Sequence, residues 1–138
     1  MVWRRIGAVL AGLVVAFLIA EAAELLVHQI YPPLKGTDMH NFEAVKKFVA
    51  ALPTPAFALV LTGWLLATVV GTFTATRIGR TPVCGYILGA LLLAGGIVNC
   101  VVIPQPLWFS LISFVIYIGG TGVGVKLGRV AVSTAAVA

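Results

Sequence analysis

Glu21, Glu24 and His28 all lie inside one apolar run, residues 6–30. An ionisable side chain within a hydrophobic span costs about 2.5–3.5 kcal/mol near the bilayer centre on insertion scales, so such groups are seldom incidental. At 100° per residue the three share one stripe of a helix, within an arc of about 60°. Two carboxylates and an imidazole at i,i+3 and i,i+4 spacing could ligate a divalent metal ion. They could also share a proton, or neutralise a cationic substrate. A complete metal motif such as His-Glu-x-x-His is absent. So are a Gly-rich phosphate loop, a Ser/His/Asp set and a setting that would make a cysteine nucleophilic.

The elements that must hold this stripe are dictated by composition. Of 138 residues, 61% are hydrophobic and only 9% are charged, and the mean hydropathy is +1.12. Soluble domains carry about 25% charged residues, so the bilayer is the expected solvent. Four apolar segments are visible, at about residues 6–30, 55–76, 83–103 and 107–125. Each has about the 20 residues a helix needs to cross a hydrocarbon core. Tyr31-Pro32-Pro33 ends the first and Pro104-Gln105-Pro106 stops the third. The expected fold is all-α: one transmembrane domain covering residues 1–138, a four-helix bundle. The 130–138 tail is expected to fray or to prolong the last helix slightly. The first segment also reads as a signal peptide with an Ala20-Glu21-Ala22 cleavage site. Apolar helical sequence running past that site favours a retained span.

Basic residues orient the bundle. Arg4 and Arg5 precede the first span, Arg77 and Arg80 fill the second link, and Lys126 and Arg129 follow the fourth span. The positive-inside rule then places both termini in the cytoplasm. The net charge of +5 is thereby explained by topology, and nucleic acid is not an expected partner. Trp3 and Tyr86 suit the inner interface, Tyr31 and Trp108 the outer one. In the long first outer loop, Phe42, Val45, Phe48, Val49 and Leu52 recur at helical spacing. They predict an amphipathic helix over about residues 40–52, lying on the outer surface or over the bundle mouth. Thr37 or Asp38 could cap it, and Glu43 and Lys47 form an i,i+4 pair. Cys84 and Cys100 fall in one predicted helix roughly 24 Å apart, too far for a disulfide within the chain.

Depth follows from helical rise. Counted from Arg5, Glu21 and Glu24 are roughly 24 and 28 Å along the first span, in the outer third of the core. His28 lies close to the outer interface. Asn99, the other strongly polar residue in a span, reaches the depth of Glu21 and shares a helix side with Gly85, Gly89 and Gly96. It is expected to point inward. Thr62, Ser110 and Ser113 come from the outer halves of the second and fourth spans. All 4 acids and both histidines lie between residues 21 and 43, so the ionisable chemistry is concentrated at the outer mouth. Trp64, deep in the second span, is expected to be packing.

Small residues recur at spacing four: Gly63, Ala67, Gly71 and Ala75, and again Gly120, Gly124 and Gly128, with Gly85 and Gly89 between. In membranes such stripes mark close helix contacts. They could join copies of the chain or a larger membrane complex, but a four-helix bundle needs several such seams for itself, and packing within the monomer is the expectation.

Glu21 with Glu24 and His28, Tyr31-Pro32-Pro33, an outer helix ending at Leu52-Pro53, and Asn99 followed by Pro104-Gln105-Pro106-Leu107-Trp108 resemble small uncharacterised bacterial four-span inner-membrane proteins. That resemblance implies the fold and the membrane but no activity. The small multidrug transporters also carry a Glu in the first of four spans. This chain has two, nearer the outer end, and a much longer first loop. The expected function is binding or transport of a cation or protonatable small molecule. Glu21 and Glu24 would be charged ligands, His28 a ligand or gate, and Asn99 the opposite-wall donor. A structural or accessory membrane subunit is one alternative. A membrane enzyme acting on a lipid or quinone, with a Glu as general acid or base and a lateral opening beside Glu21, is the other.

Overall fold

The computed structural model describes all 138 residues. The chain forms five helices: α1 (Val2–Ile30), α2 (Phe42–Ala51), α3 (Thr54–Gly79), α4 (Pro82–Val102) and α5 (Leu107–Val137). All but α2 are long and apolar enough to cross a membrane, the architecture of a multi-pass membrane protein. Two boundaries extend beyond expectation. α1 begins at Val2, and α5 runs on to Val137 without fraying. The tail after Gly128 holds no Gly or Pro to stop the helix.

The four long helices do not form a square. α3 packs on α1, α4 and α5, and α4 also packs on α1 and α5, whereas α1 and α5 do not meet. The cross-section is thus a rhombus with α3 and α4 on its short diagonal. α3 can be central because one of its faces is built from small residues. Gly63 lies against Ala23, and Gly71 against Gly12 and Ala16, all on α1. On another side, Thr68, Thr72 and Thr76 are almost wholly buried. They meet Gly120, Gly124 and Gly128 of α5 in order. Each threonine fits opposite a missing side chain, and the four-residue interval on both helices keeps the match in step. Thr68 and Thr72 dispose of their hydroxyls within α3, donating to the carbonyl oxygens of Trp64 and Thr68, both at 2.7 Å. The glycine stripes therefore seal the monomer, as expected of them.

The ends are finished by local chemistry. Arg80 closes α3 in the left-handed region with φ 52°. The Thr81 hydroxyl accepts from Val83 N–H to cap α4. Arg4 Nη2 donates to the Gly79 carbonyl at 3.4 Å, so the start of α1 and the α3–α4 link share one end of the bundle. At the opposite end α2 touches the bundle through side chains alone. Val49 and Leu52 rest on a buried cluster formed by Phe57, Leu61, Trp64, Phe109 and Tyr117.

α2 corrects three sequence expectations. Its cap is Asn41, whose Oδ1 accepts from Glu43 N–H at 3.0 Å. Neither Thr37 nor Asp38 serves, since the helix starts at Phe42 and Asp38 Oδ1 instead accepts from His40 N–H. Glu43 pairs with Lys46, at 3.6 Å, and not with Lys47. Phe42 stays 45% exposed, on the outer side, under the Lys46 ammonium at 4.4 Å from its ring centre. Cys84 and Cys100 are both free thiols.

Candidate polar site at the α2 end

The stripe on α1 is divided by the fold. Glu21 is exposed, whereas Glu24 and His28 are half-buried and turn under α2. The two are about 60° apart on the helix, and Glu21 falls farther round from the α1–α3 contact than Glu24 does. Consequently no group of three His, Cys, Asp or Glu side chains is gathered in a way that could hold a metal ion. The expected metal set of Glu21, Glu24 and His28 is not assembled. Glu24, His28 and Asn99 line one cavity.

That cavity has a volume of about 170 Å³ and lies between α2 and the end of the bundle. α1 contributes Glu24 and His28 to its wall, α4 contributes Asn99, and the α4–α5 link contributes Gln105. Its remaining lining is predominantly apolar, with Phe48 from α2 as lid and Phe57 and Phe109 as floor. His28 stacks on Phe48, with ring centres 5.2 Å apart and planes 22° from parallel. Thus the imidazole both lines the cavity and holds the lid.

Hydrogen bonding restricts what this site can offer. His28 Nδ1 lies 2.8 Å from the Glu24 main-chain oxygen. The carbonyl accepts, so Nδ1 carries a proton and Nε2 is the ring nitrogen left without a main-chain partner. Gln105 Nε2 donates to Cys100 Sγ at 2.9 Å and Ser110 Oγ at 3.4 Å, which leaves its carbonyl oxygen. The Glu24 carboxylate adds two more acceptor oxygens, and Asn99 brings both an amide oxygen and an NH2 group. Such a wall suits a ligand that brings N–H donors and positive charge.

A second cavity of about 310 Å³ adjoins the first and lies deeper. Glu24, Trp64 and Asn99 line both. These three residues, from α1, α3 and α4, form the partition between the two spaces. Trp64 was expected to be packing, and it is 7% exposed within the aromatic cluster. It nonetheless forms part of both walls. Tyr117, which no sequence signal singled out, lines the deeper cavity and stacks on Trp64 at 5.9 Å. Its room comes from Gly96, where a methyl group would collide with the Tyr117 ring.

Four other polar residues fall away. Thr62 is exposed and donates to the Ala58 carbonyl at 2.9 Å. Ser113 is buried and donates to the Ser110 carbonyl at 2.8 Å. Ser110 accepts from Gln105 and lines neither cavity. His40 is exposed.

Comparison with known proteins finds no family model, no curated protein and no solved structure that matches this chain.

Proposed function

We propose that the protein binds, and in a membrane would transport, a cation or protonatable small molecule, with Glu24 as the charged ligand. Asn99 is the polar group of the opposite wall, and His28 flanks the ligand and holds the α2 lid. The observation that carries this reading is the position of Glu24. It is the one carboxylate that lines both cavities, at the partition between an outer chamber and a deeper one. A half-buried carboxylate with no Lys or Arg among its cavity neighbours favours a positively charged or proton-donating occupant. The basic end of the bundle supports placing both termini in the cytoplasm and α2 on the outer surface of a bacterial plasma (inner) membrane.

The test is retention of radiolabelled methylammonium, and of protons, by proteoliposomes. Glu24→Gln is expected to lower retention at least about tenfold, the loss of one charge-assisted partner in a dry site. Glu21→Gln, at an exposed position, is expected to retain it. Equal retention by wild type and Glu24→Gln would overturn the proposal.

A further inference from the structure

The deeper cavity is not sealed from the surrounding lipid. Its two side walls are α1, with Leu13, Phe17 and Ala20, and α4, with Leu91 and Gly95. Phe17 is 63% and Leu91 51% exposed on the outside of the bundle. The α1–α4 seam is shut only toward the basic end, where Ala8, Cys84 and Leu88 pack together and Leu88 reaches Gly12. Beyond Leu13 the two helices part. The cause is the choice of partners made by their small residues. α1 is drawn onto α3 through Ala16–Gly71 and Ala23–Gly63, while α4 is drawn onto α5 through Gly89–Thr121 and Gly96–Tyr117. A cleft is left between the two pairs, open to the side. From Leu13 to Glu24 it runs roughly 16 Å along α1.

The contents of this cleft are ordered by polarity. Its lower part is apolar. Glu24 and Asn99 stand at the top, beside the Trp64 and Tyr117 rings. The Thr68 hydroxyl is already bonded to the Trp64 carbonyl. No Lys or Arg lines either cavity, so nothing there would neutralise a phosphate or carboxylate head. From this arrangement we infer that the occupant is a single-chain amphiphile with a protonated amine head, which enters sideways from the lipid between α1 and α4. Its head lies at Glu24 and Asn99, where the acceptors take its N–H groups and the Trp64 face adds a cation–π contact. Its alkyl chain lies down the cleft toward Leu13, parallel to the chains of lipids whose heads face the α2 side. This inference rests on the proposed cation-binding role of Glu24 and adds to it the tail, the amine and the lateral route.

The experiment is calorimetric titration of protein-loaded nanodiscs against empty nanodiscs, which removes simple partitioning into lipid. Dodecylammonium is expected to bind saturably, about 100-fold tighter in aqueous concentration than methylammonium, because the bilayer concentrates it beside the cleft. Dodecyltrimethylammonium, which has no N–H, is expected to bind at least about tenfold more weakly than dodecylammonium. Gly95→Trp fills the cleft at a position where an added methyl group meets nothing within 4 Å, so the fold should tolerate it. It is expected to weaken dodecylammonium at least about tenfold and to leave methylammonium unchanged, as a plugged groove and an intact head site require. Methylammonium binding also reports that the variant is folded. Equal affinity for dodecylammonium and methylammonium, equal affinity for the trimethyl analogue, or indifference of dodecylammonium to Gly95→Trp would each overturn the lateral amphiphile while Glu24-dependent methylammonium retention left the simpler reading standing. Equal methylammonium retention by wild type and Glu24→Gln would overturn both.

Discussion

His28 Nδ1 lies 2.8 Å from the main-chain oxygen of Glu24, and the same imidazole stacks on Phe48 of α2. One ring therefore ties the charged residue of the site to the helix that covers it. The bond fixes which ring nitrogen turns to the helix as a donor, and the stack fixes where α2 sits. Because α2 touches the bundle through side chains alone, few other contacts share this role.

The stack should be measurable. His28→Leu is expected to loosen α2, raising hydrogen exchange of residues 42–51 about two- to tenfold, the equivalent of an aromatic pair of about 0.5–1.5 kcal/mol. His28→Phe keeps the ring and should hold α2 near its wild-type exchange. If both variants leave exchange in α2 unchanged, Phe48 is held by something other than this ring.

The glycine seams should divide into two groups. At Gly71 an added methyl group would fall 2.8 Å from Ala16 Cβ and 3.0 Å from the Gly12 oxygen. At Gly124 it would strike the Thr72 hydroxyl and the Val69 carbonyl. Backbone atoms cannot step aside cheaply, so Gly71→Ala and Gly124→Ala are expected to cost about 1–3 kcal/mol each in reversible unfolding from detergent. Gly119→Ala and Gly122→Ala meet open space. They are expected to be neutral, or stabilising by up to about 1 kcal/mol through helix propensity. Similar costs at all four positions would mean that the seams do not set the packing.

Orientation can be read with an impermeant maleimide on intact cells, in a Cys100→Ser background. Cys84 is only 1% exposed and should stay silent. A Lys35→Cys variant is expected to label from outside, and Ser133→Cys only after the membrane is opened, as a basic cytoplasmic end requires. The reverse pattern would invert the topology and place the Glu24 cavities toward the cytoplasm.

Much of the architecture is legible in the residues one after another. An apolar run of spanning length needs a helix, since no other local structure satisfies its backbone in lipid. The Pro pairs end α1 and α4, and Arg80 ends α3. The shared level of Glu21, Glu24 and Asn99 follows from helical rise, which places residues of different spans at one depth. Cap and pair details on α2 are less legible. Asp38, Thr37 and Asn41 are all competent caps, and the choice depends on where the chain leaves the α1–α2 loop.

Other features depend on which helix lies beside which. Glu21 and Glu24 share one stripe on a wheel, and only the packing of α1 against its neighbours turns one outward and the other under α2. Trp64 and Tyr117 read as ordinary core residues until α3, α4 and α5 place them on the walls of two cavities. The cleft between α1 and α4 has no sequence motif, because it is a space left where Gly63 and Gly71 pull α1 one way and Gly89 and Gly96 pull α4 the other. Periodicity, charge and length act along a single helix, so the chain alone determines the spans, their ends and the level of the polar groups. Burial, facing and openings are properties of pairs of helices, and they were decided only when the glycine seams selected the neighbours.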